Sequence, residues 1–332
     1  MTLPTPDQMF TAAPKKVDEP PSLVKRDQYG RPRIKQPSGG EVSYVRASSL
    51  ASVMDDMTPL GDWKARMTGR GVAISPDLSA GFATIADMES SEGKKQANEL
   101  ARTAQDRAGS TAKRTLGTAF HALTEAYDKG EPIGHVPDNL RPLLQDYVKK
   151  MAGMEWVAFE QFVVVDELKV AGSLDRLGRA PGWAKPRILD IKTGRVDYGQ
   201  MKFAIQLAVY AHGMVYDPAT GARTSQDVDL ETGVILHADP VTGIVTPYEV
   251  DLAWGWEAAK MAVKVRELRA EQRKIMRPAT MAPDVIKMIA DATSVDALNA
   301  LWAATGSTWG EKHTQFASAR YAELSNPKEN HS

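Results

Sequence analysis

The chain of 332 residues contains no cysteine. This absence excludes disulfide bonds, zinc–thiolate sites and cysteine-held iron–sulfur clusters, and it leaves oxygen and imidazole groups as the available metal ligands. No apolar run approaches the roughly 20 residues that span a bilayer. Residues 1–10 also lack the charged start and the apolar stretch of a signal peptide. We therefore expect a cytoplasmic protein with no membrane partner.

The sequence also has almost no excess of positive or negative charge. The formal net charge is −1, so no global basic field indicates nucleic-acid binding, and any such contact must be a local patch. The hydrophobic fraction of 42% and the charged fraction of 25% are ordinary for a soluble globular protein. No Walker phosphate loop occurs, so we expect neither a nucleotide cofactor nor an ATP-driven motor in this chain.

The order of predicted elements is helices, then a mixed sheet interrupted by a helix, then helices. This order predicts an α/β or α+β fold with a central mixed sheet flanked by helices and with helical additions at both ends. The predicted regions are a flexible basic arm at 1–40, a helical N-terminal region at 41–110, a core at 111–277 and a helical C-terminal region at 278–332. For the arm, contact with phosphates and a solvated tail remain alternatives.

Local patterns predict the elements of the core. Dense β-branched and aromatic residues predict a strand over 156–165, and apolar patterns extend the sheet to 170–177 and 187–192. Helices are predicted by apolar periodicity and by end signals. They cover 111–128, 138–152, 199–215 and 253–276, and a hairpin covers 228–250. In the C-terminal region, Trp302, Trp309 and Phe316 are predicted to pack inside.

The segment from Gly172 to Ala211 carries the chemistry. It contains the phrases GSLDRLGR, RILDIKTG and QLAVYA. The first two predict successive strands that bring Asp175 and Asp190 onto neighbouring strands. Lys192 lies two residues beyond Asp190, and side chains at i and i+2 on a strand share a face. Two carboxylates and a lysine in one cleft suit metal-dependent hydrolysis of a phosphodiester.

Each residue type has a role in that chemistry. Asp175 and Asp190 are candidate ligands of a hard cation such as Mg²⁺ or Mn²⁺. His121, on a helix upstream of the sheet, can add an imidazole nitrogen, and the backbone carbonyl of Ile191 is within reach of the same ion. Lys192 would orient the attacking water or stabilise charge in the transition state.

Further candidates surround this set. Glu160, expected on the first long strand, could hold a second ion or position water. Gln206 and Tyr210 are spaced i, i+4 on the following helix and therefore project from one face. Lys113 and Arg114, upstream of His121 on its helix, are candidates for phosphate contact.

Taken singly, these residues have structural alternatives. Asp190 and Lys192 could form a buried salt bridge, and Asp175 could be a turn residue or the partner of Arg176. His121 could be a packed histidine, and Gln206 with Tyr210 could be ordinary helix surface. The order of the whole set favours function.

That order resembles the PD-(D/E)XK nuclease superfamily. The likeness rests on GTAFH, a strand glutamate, GSLDRL, LDIKTG and QLAVYA, spread over about residues 110–255. Within the superfamily it is similar to RecB-type nuclease domains and to related CRISPR-associated and phage exonucleases. The resemblance implies a restriction-endonuclease-like core. It also implies His121, Asp175 and Asp190 as metal ligands, Lys192 as the catalytic lysine, and Gln206 and Tyr210 as support for the site. Several relatives carry a four-cysteine iron–sulfur cluster, for which this chain has no ligands.

The resemblance implies a metal-dependent DNA nuclease. We expect an exonuclease with DNA as its substrate, serving recombination, repair or phage DNA metabolism. A recombination (annealing) protein is a further expected partner, and the host cytoplasm is the expected location if a phage encodes the chain. An endonuclease with the same site and a non-catalytic nucleic-acid-binding or structural module are the alternatives. The oligomeric state is left open.

Overall fold

A computed structural model describes residues 24–276 and 284–325 of the chain. The contacts between residues divide it into two compact units, with the boundary between Arg269 and Ala270. In the described residues, no helix combines the length and the apolar character that crossing a membrane requires. All candidate site residues belong to the first unit.

The first unit contains twelve described strands and most of the helices. The strands are β1 (Arg33–Lys35), β2 (Glu41–Ser43), β3 (Val45–Arg46), β4 (Glu155–Phe159), β5 (Phe162–Val165), β6 (Val170–Ser173), β7 (Arg176–Arg179), β8 (Arg187–Lys192), β9 (Met214–Tyr216), β10 (Arg223–Thr224), β11 (Thr232–Asp239) and β12 (Ile244–Asp251). The helices are α1 (Ala47–Ala51), α2 (Thr58–Ala73), α3 (Pro76–Ala83), α4 (Ser91–Arg107), α5 (Ser110–Asp128), α6 (Arg141–Lys150), α7 (Gln200–Ala211) and α8 (Leu252–Glu271), the last of which runs past the boundary. The second unit contains α9 (Val285–Asp291), α10 (Val295–Thr305) and α11 (Glu311–Ser325).

Two five-stranded sheets build the first unit. The first sheet has the order β12-β11-β8-β7-β4, with β8 and β11 parallel and the other pairs antiparallel. The second sheet has the order β10-β9-β5-β6-β3, in which only β3 and β6 are parallel. Mixed sheets flanked by helices confirm the predicted fold class. The predicted hairpin is confirmed as β11 and β12, which pair along their whole length.

Strand β8 alternates between two cores. Leu189 and Ile191 pack with residues of α5 and α6. Ile188 packs instead with residues of α1, α7 and α8. Because side chains alternate along a strand, Asp190 falls on the α7 side. This placement sets one carboxylate beneath the helix that carries Gln206 and Tyr210.

A long hairpin bends from one sheet into the other. Strands β4 and β7 pair in the first sheet, and β5 and β6 continue them in the second. The breaks fall at Glu160–Gln161 and at Leu174–Asp175, where the Glu160 N–H donates to the Asp175 carbonyl at 3.1 Å. The expectation that Glu160 and Asp175 lie on strands is therefore wrong. Each lies at the bend, because the chain leaves one sheet there to enter the other.

Other expectations are corrected at the ends of the chain. Within the predicted arm, residues 33–35 form β1, which pairs with β2, and Ile34 is fully buried. Residues 1–23 lie outside the described residues. In the second unit, Trp302 and Phe316 are exposed, whereas Trp309 packs against the core cluster of α9 and α10. The amphipathic pattern predicted helices there but not which aromatic faces inward.

Candidate functional site

Asp190 and Lys192 form an ion pair at the end of β8. The Lys192 Nζ lies 2.5 Å from the Asp190 Oδ2, as the shared face of residues i and i+2 predicts. Apart from this contact, Oδ2 is buried without a hydrogen-bond donor. Burial raises the pKa of Asp190, the nearby charge of Asp175 raises it further, and Lys192 opposes both. A further positive charge nearby would stabilise the ionised form of this buried carboxylate.

Asp175 faces Asp190 from the bend of the hairpin. Its Oδ2 accepts a hydrogen bond of 3.3 Å from the backbone N–H of Ile191. The same oxygen lies 3.4 Å from the Nδ1 of His121 on α5. These contacts bring the sequence-predicted residues His121, Asp175 and Asp190 into one neighbourhood. The side chain of His121 is about one third exposed, so this side of the site is open to solvent.

Glu160 stands opposite Asp175 on the other arm of the hairpin. Its backbone is in the left-handed region, with φ of +47°, which is uncommon for a residue with a Cβ and marks a constrained position. The residue as a whole is exposed, and its carboxyl group is only partly desolvated. Partial desolvation and the charges of Asp175 and Glu125 raise the pKa of Glu160 to about 7.

Helix α7 covers the site with a buried tyrosine. The Gln206 Nε2 donates to the Tyr210 hydroxyl at 3.0 Å, as the i, i+4 spacing predicts. Tyr210 is buried, so the alternative of ordinary helix surface is wrong for this residue. Burial and the charge of Asp190 raise the pKa of Tyr210. Its ring lies against Gly172, where an added Cβ would be only 3.0 Å from the ring, which explains the glycine of the GSLD phrase.

A buried ion pair lies directly behind Asp175. The Arg176 Nε and the Tyr147 hydroxyl each donate to the Oδ2 of Asp128 at 2.6 Å. The Arg176 Nη2 also donates to the Thr124 hydroxyl at 2.9 Å. The remaining Arg176 nitrogen, Nη1, lies 3.9 Å from the Asp175 Oδ2. Asp175 is therefore one partner of Arg176, but a distant one, because Asp128 takes the short contact.

Helix α5 approaches the end of β8 closely. A Cβ on Gly117 would lie 2.7 Å from the Thr193 hydroxyl, so the glycine of the GTAFH phrase permits this contact. The predicted phosphate contacts Lys113 and Arg114 lie on the same helix. The side chain of Arg114 is exposed, and the side chain of Lys113 lies outside the described residues.

The side chains of the site can be compared with the ligands that a divalent cation requires. In the described ranges, no three His, Cys, Asp or Glu side chains are arranged around one point as ligands of an ion would be. The donor chemistry nevertheless fits a hard cation, because Asp175 and Asp190 offer carboxylate oxygens and His121 offers a ring nitrogen. One oxygen of Asp190 is buried without a hydrogen bond. A cation would offset the repulsion between the two carboxylates.

Sequence reasoning missed several residues around the site. Glu125 lies one turn after His121 on α5, and its charge contributes to the raised pKa of Glu160. Asp128 lies seven residues after His121, so both fall on one side of the helix, which is the signal that could have found it. Thr124 completes this row. The partners of Asp128, in contrast, come from distant elements that no spacing indicates.

Comparison with known proteins supports the same segment of the chain. No curated protein matches the chain. One family model matches residues 137–232 of the chain. This segment includes the candidate site residues Glu160, Asp175, Asp190, Lys192, Gln206 and Tyr210, whereas His121 lies before it. The segment is similar to the PD-(D/E)XK nuclease superfamily.

Proposed function

We propose that this chain is a divalent-metal-dependent DNA nuclease. One observation carries the proposal: within the segment that matches a nuclease family, a buried Asp190 pairs with Lys192 beside Asp175, and His121 from the preceding helix α5 contacts Asp175. Buried carboxylates that lack their full set of hydrogen-bond donors are costly to stability. Groups with perturbed pKa values concentrate at functional clefts for this reason.

In this proposal each residue has a defined task. Asp175, Asp190 and the Ile191 carbonyl hold Mg²⁺ or Mn²⁺, with His121 as a further ligand. When bound, the ion offsets the charge of the phosphodiester and lowers the pKa of a water. Lys192 stabilises the charge that grows on the phosphate oxygens during attack.

Glu160 takes part in proton transfer. A carboxyl group whose pKa is about 7 can accept a proton near neutral pH, where both of its forms are populated. Glu160 orients the attacking water and takes up its proton as the oxygen bonds to phosphorus. The bond from phosphorus to the leaving oxygen then breaks, and that oxygen gains a proton from solvent.

The finer assignment is an exonuclease of the RecB-type and phage branch. The motif order from GTAFH to QLAVYA supports it, by analogy with that branch. Recombination, repair or phage DNA metabolism is the proposed setting, with an annealing protein as a proposed partner.

A cleavage assay tests both levels. End-labelled linear DNA and closed-circular DNA are incubated with Mg²⁺, Mn²⁺ or EDTA. We expect loss of linear DNA in either metal, none in EDTA, and none with Asp190→Ala or Lys192→Ala. Asp138→Ala is the matched control, because the side chain of Asp138 is almost fully exposed.

Each other outcome has a defined meaning. Cleavage of circular DNA selects the endonuclease. Retained cleavage in Asp190→Ala and Lys192→Ala contradicts the proposed site. DNA binding without cleavage in any metal selects the non-catalytic module, for which the Asp190–Lys192 pair would be a buried salt bridge.

A further inference from the structure

A cavity lies next to the candidate site on the α7 side of the first sheet. It has a volume of about 500 Å³ and lies between the start of α7, strands β11 and β12, and the start of α8. Phe203 on α7 connects the two places, because it lines the cavity and the Lys192 Nζ lies 5.7 Å from the centre of its ring. Pockets that bind small ligands have volumes of this order.

Sheet register sets the distance between the cavity and Asp190. Asp190 on β8 pairs with Ile235 on β11, and Ile235 pairs with Tyr248 on β12. Ile235 and Tyr248 both line the cavity. Neighbouring strands are about 4.8 Å apart, so this row spans about 10 Å from Asp190 to Tyr248. A group bound in the cavity would therefore lie one or two nucleotides along a DNA strand from a phosphate held at Asp190.

The lining is aromatic and carries no cation. Phe203, Tyr248 and Trp254 offer ring faces, and about half of Tyr248 and of Trp254 is exposed. Exposed aromatic rings beside a nucleic-acid site are surfaces on which bases stack. Neither lysine nor arginine lines the cavity, so a phosphate would find no cationic partner in the lining.

The carboxylates of the lining have partners of their own. Asp197 pairs with Arg195 at 2.7 Å, and Glu249 pairs with Arg187 at 2.8 Å. The Asp251 Oδ1 accepts the Trp254 backbone N–H at 2.8 Å at the start of α8. These oxygens retain acceptor capacity for the N–H edge of a neutral ring and repel an anion. The occupant that fits both surfaces is planar and uncharged and carries at least one N–H donor.

We propose that this cavity binds a single nucleobase of the DNA strand, next to the phosphate that is cleaved. The inference rests on the proposed nuclease function and adds to it a base-binding subsite that controls affinity and the position of the strand. Stacking is tolerant of sequence, because every base has a ring face. We therefore expect the subsite to require a base without demanding a particular one.

The test couples a change in the protein to a change in the DNA. Binding of fluorescein-labelled oligonucleotides is measured by anisotropy in EDTA, which prevents metal-dependent cleavage. The oligonucleotides carry one abasic nucleotide at each position in turn. The proteins are the unchanged chain, Trp254→Ala, Tyr248→Ala, the conservative Trp254→Phe and the control Trp302→Ala, whose indole is similarly exposed.

We expect one abasic position to weaken binding by the unchanged chain about tenfold. Trp254→Ala should weaken binding of intact DNA by about the same factor and should be insensitive to that abasic position. Trp254→Phe should keep most of the affinity, and Trp302→Ala all of it. Tyr248→Ala repeats the test if Trp254→Ala fails to fold.

Several results would overturn the inference. These are unchanged affinity in both alanine variants, losses that add for protein and DNA, or the same loss in Trp302→Ala. Cleavage in Mg²⁺ is measured in parallel by the unchanged chain. If that chain cuts DNA while the variants bind normally, the base subsite alone is wrong. If it binds DNA but does not cut, the nuclease function is wrong, and absence of binding contradicts both.

Discussion

Two clusters of polar and charged residues lie along α5 and the bent hairpin. They differ in the hydrogen bonds and ion pairs that their buried carboxylates make. The closed cluster is Asp128, Arg176, Tyr147 and Thr124, and the open cluster is His121, Asp175, Asp190 and Lys192. In the closed cluster, two donors reach one oxygen of Asp128 at 2.6 Å, and its side chain is fully buried. In the open cluster, Asp175 makes longer contacts of 3.3 and 3.4 Å.

Under the proposed function, this difference separates a structural role from a functional one. Both clusters hold a buried carboxylate oxygen that lacks a hydrogen bond, on Asp128 and on Asp190. Asp128 accepts one short hydrogen bond from the buried Arg176 and one from the Tyr147 hydroxyl. The side chains of Lys192 and His121 remain 27% and 34% exposed, so a ligand can reach the open cluster. Proteins often give up stability at a site to retain function there.

The largest expected effect separates activity from stability in the open cluster. Asp190→Asn removes a buried charge but keeps the shape of the side chain. We expect cleavage of linear DNA to fall roughly 10³-fold, as when one electrostatic group of an active site is removed. The free energy of unfolding should stay unchanged or increase, because the cost of burying the carboxylate is gone.

Cleavage rates and urea denaturation of the same preparation check this prediction. A variant that is unfolded, or one that still cuts DNA at the rate of the unchanged chain, would contradict the functional role of Asp190. Asp138→Asn, at an almost fully exposed side chain, serves as the control.

The second prediction concerns the closed cluster. Arg176→Met leaves Asp128 buried without its cation, which costs about 3–5 kcal/mol of unfolding free energy. Asp128→Leu combined with Arg176→Met should recover most of that loss, because both charges are then absent. Urea denaturation measures each value. The exposed pair of Arg195 and Asp197 offers Arg195→Met as a control, with an expected loss far smaller than that of Arg176→Met. Equal losses of unfolding free energy for both arginines would mean that burial does not set the cost of removing one member of an ion pair.

The third prediction is a pH dependence at the edge of the open cluster. The pKa of Glu160 is raised from 4.5 to about 7 in the fold, so the folded state binds its proton more tightly than the unfolded state. The stability that Glu160 contributes is therefore greatest below pH 4.5 and is lost as the pH rises to about 7. Glu160→Gln has no such loss.

We expect this variant to exceed the unchanged chain by about 1 kcal/mol at pH 8, a value reduced for the solvent exposure of the residue. At pH 4.5 the difference should disappear. Urea denaturation in EDTA at the two pH values measures it. A difference independent of pH would contradict the shifted pKa.

The smallest expected effect concerns Tyr210. Tyr210→Phe removes the acceptor of the Gln206 amide and should cost about 1 kcal/mol, the value of an ordinary hydrogen bond. Thermal denaturation measures the loss, with the exposed Tyr29→Phe as a control. A loss of several kcal/mol would mean that the hydroxyl has a structural role like that of Asp128.

Local periodicity predicted the elements of the site well. The helix that carries His121, the strand of Asp190 and Lys192, and the hairpin of β11 and β12 all follow from apolar spacing within one segment. The i, i+2 and i, i+4 rules also predicted the two side-chain pairs of the site. Such rules succeed because the interacting residues are neighbours in the chain.

The features that the sequence did not predict depend on pairing between segments that are distant in the chain. Residues 155–165 are rich in strand formers throughout, so nothing local marks the break at Glu160. That break exists because β4 pairs with β7 and β5 with β6, in different sheets. The closed cluster was missed for the same reason, since Asp128 meets Arg176 across 48 residues of sequence.

Binding of Mn²⁺ tests the central claim most directly. Calorimetric titration compares the unchanged chain with Asp175→Asn and Asp190→Asn, and with Asp128→Asn from the closed cluster. We predict that the unchanged chain binds Mn²⁺, that both open-cluster variants lose this binding, and that Asp128→Asn retains it wherever it folds. Absence of Mn²⁺ binding by the unchanged chain, with or without DNA, would contradict the account, and so would equal binding by all four proteins.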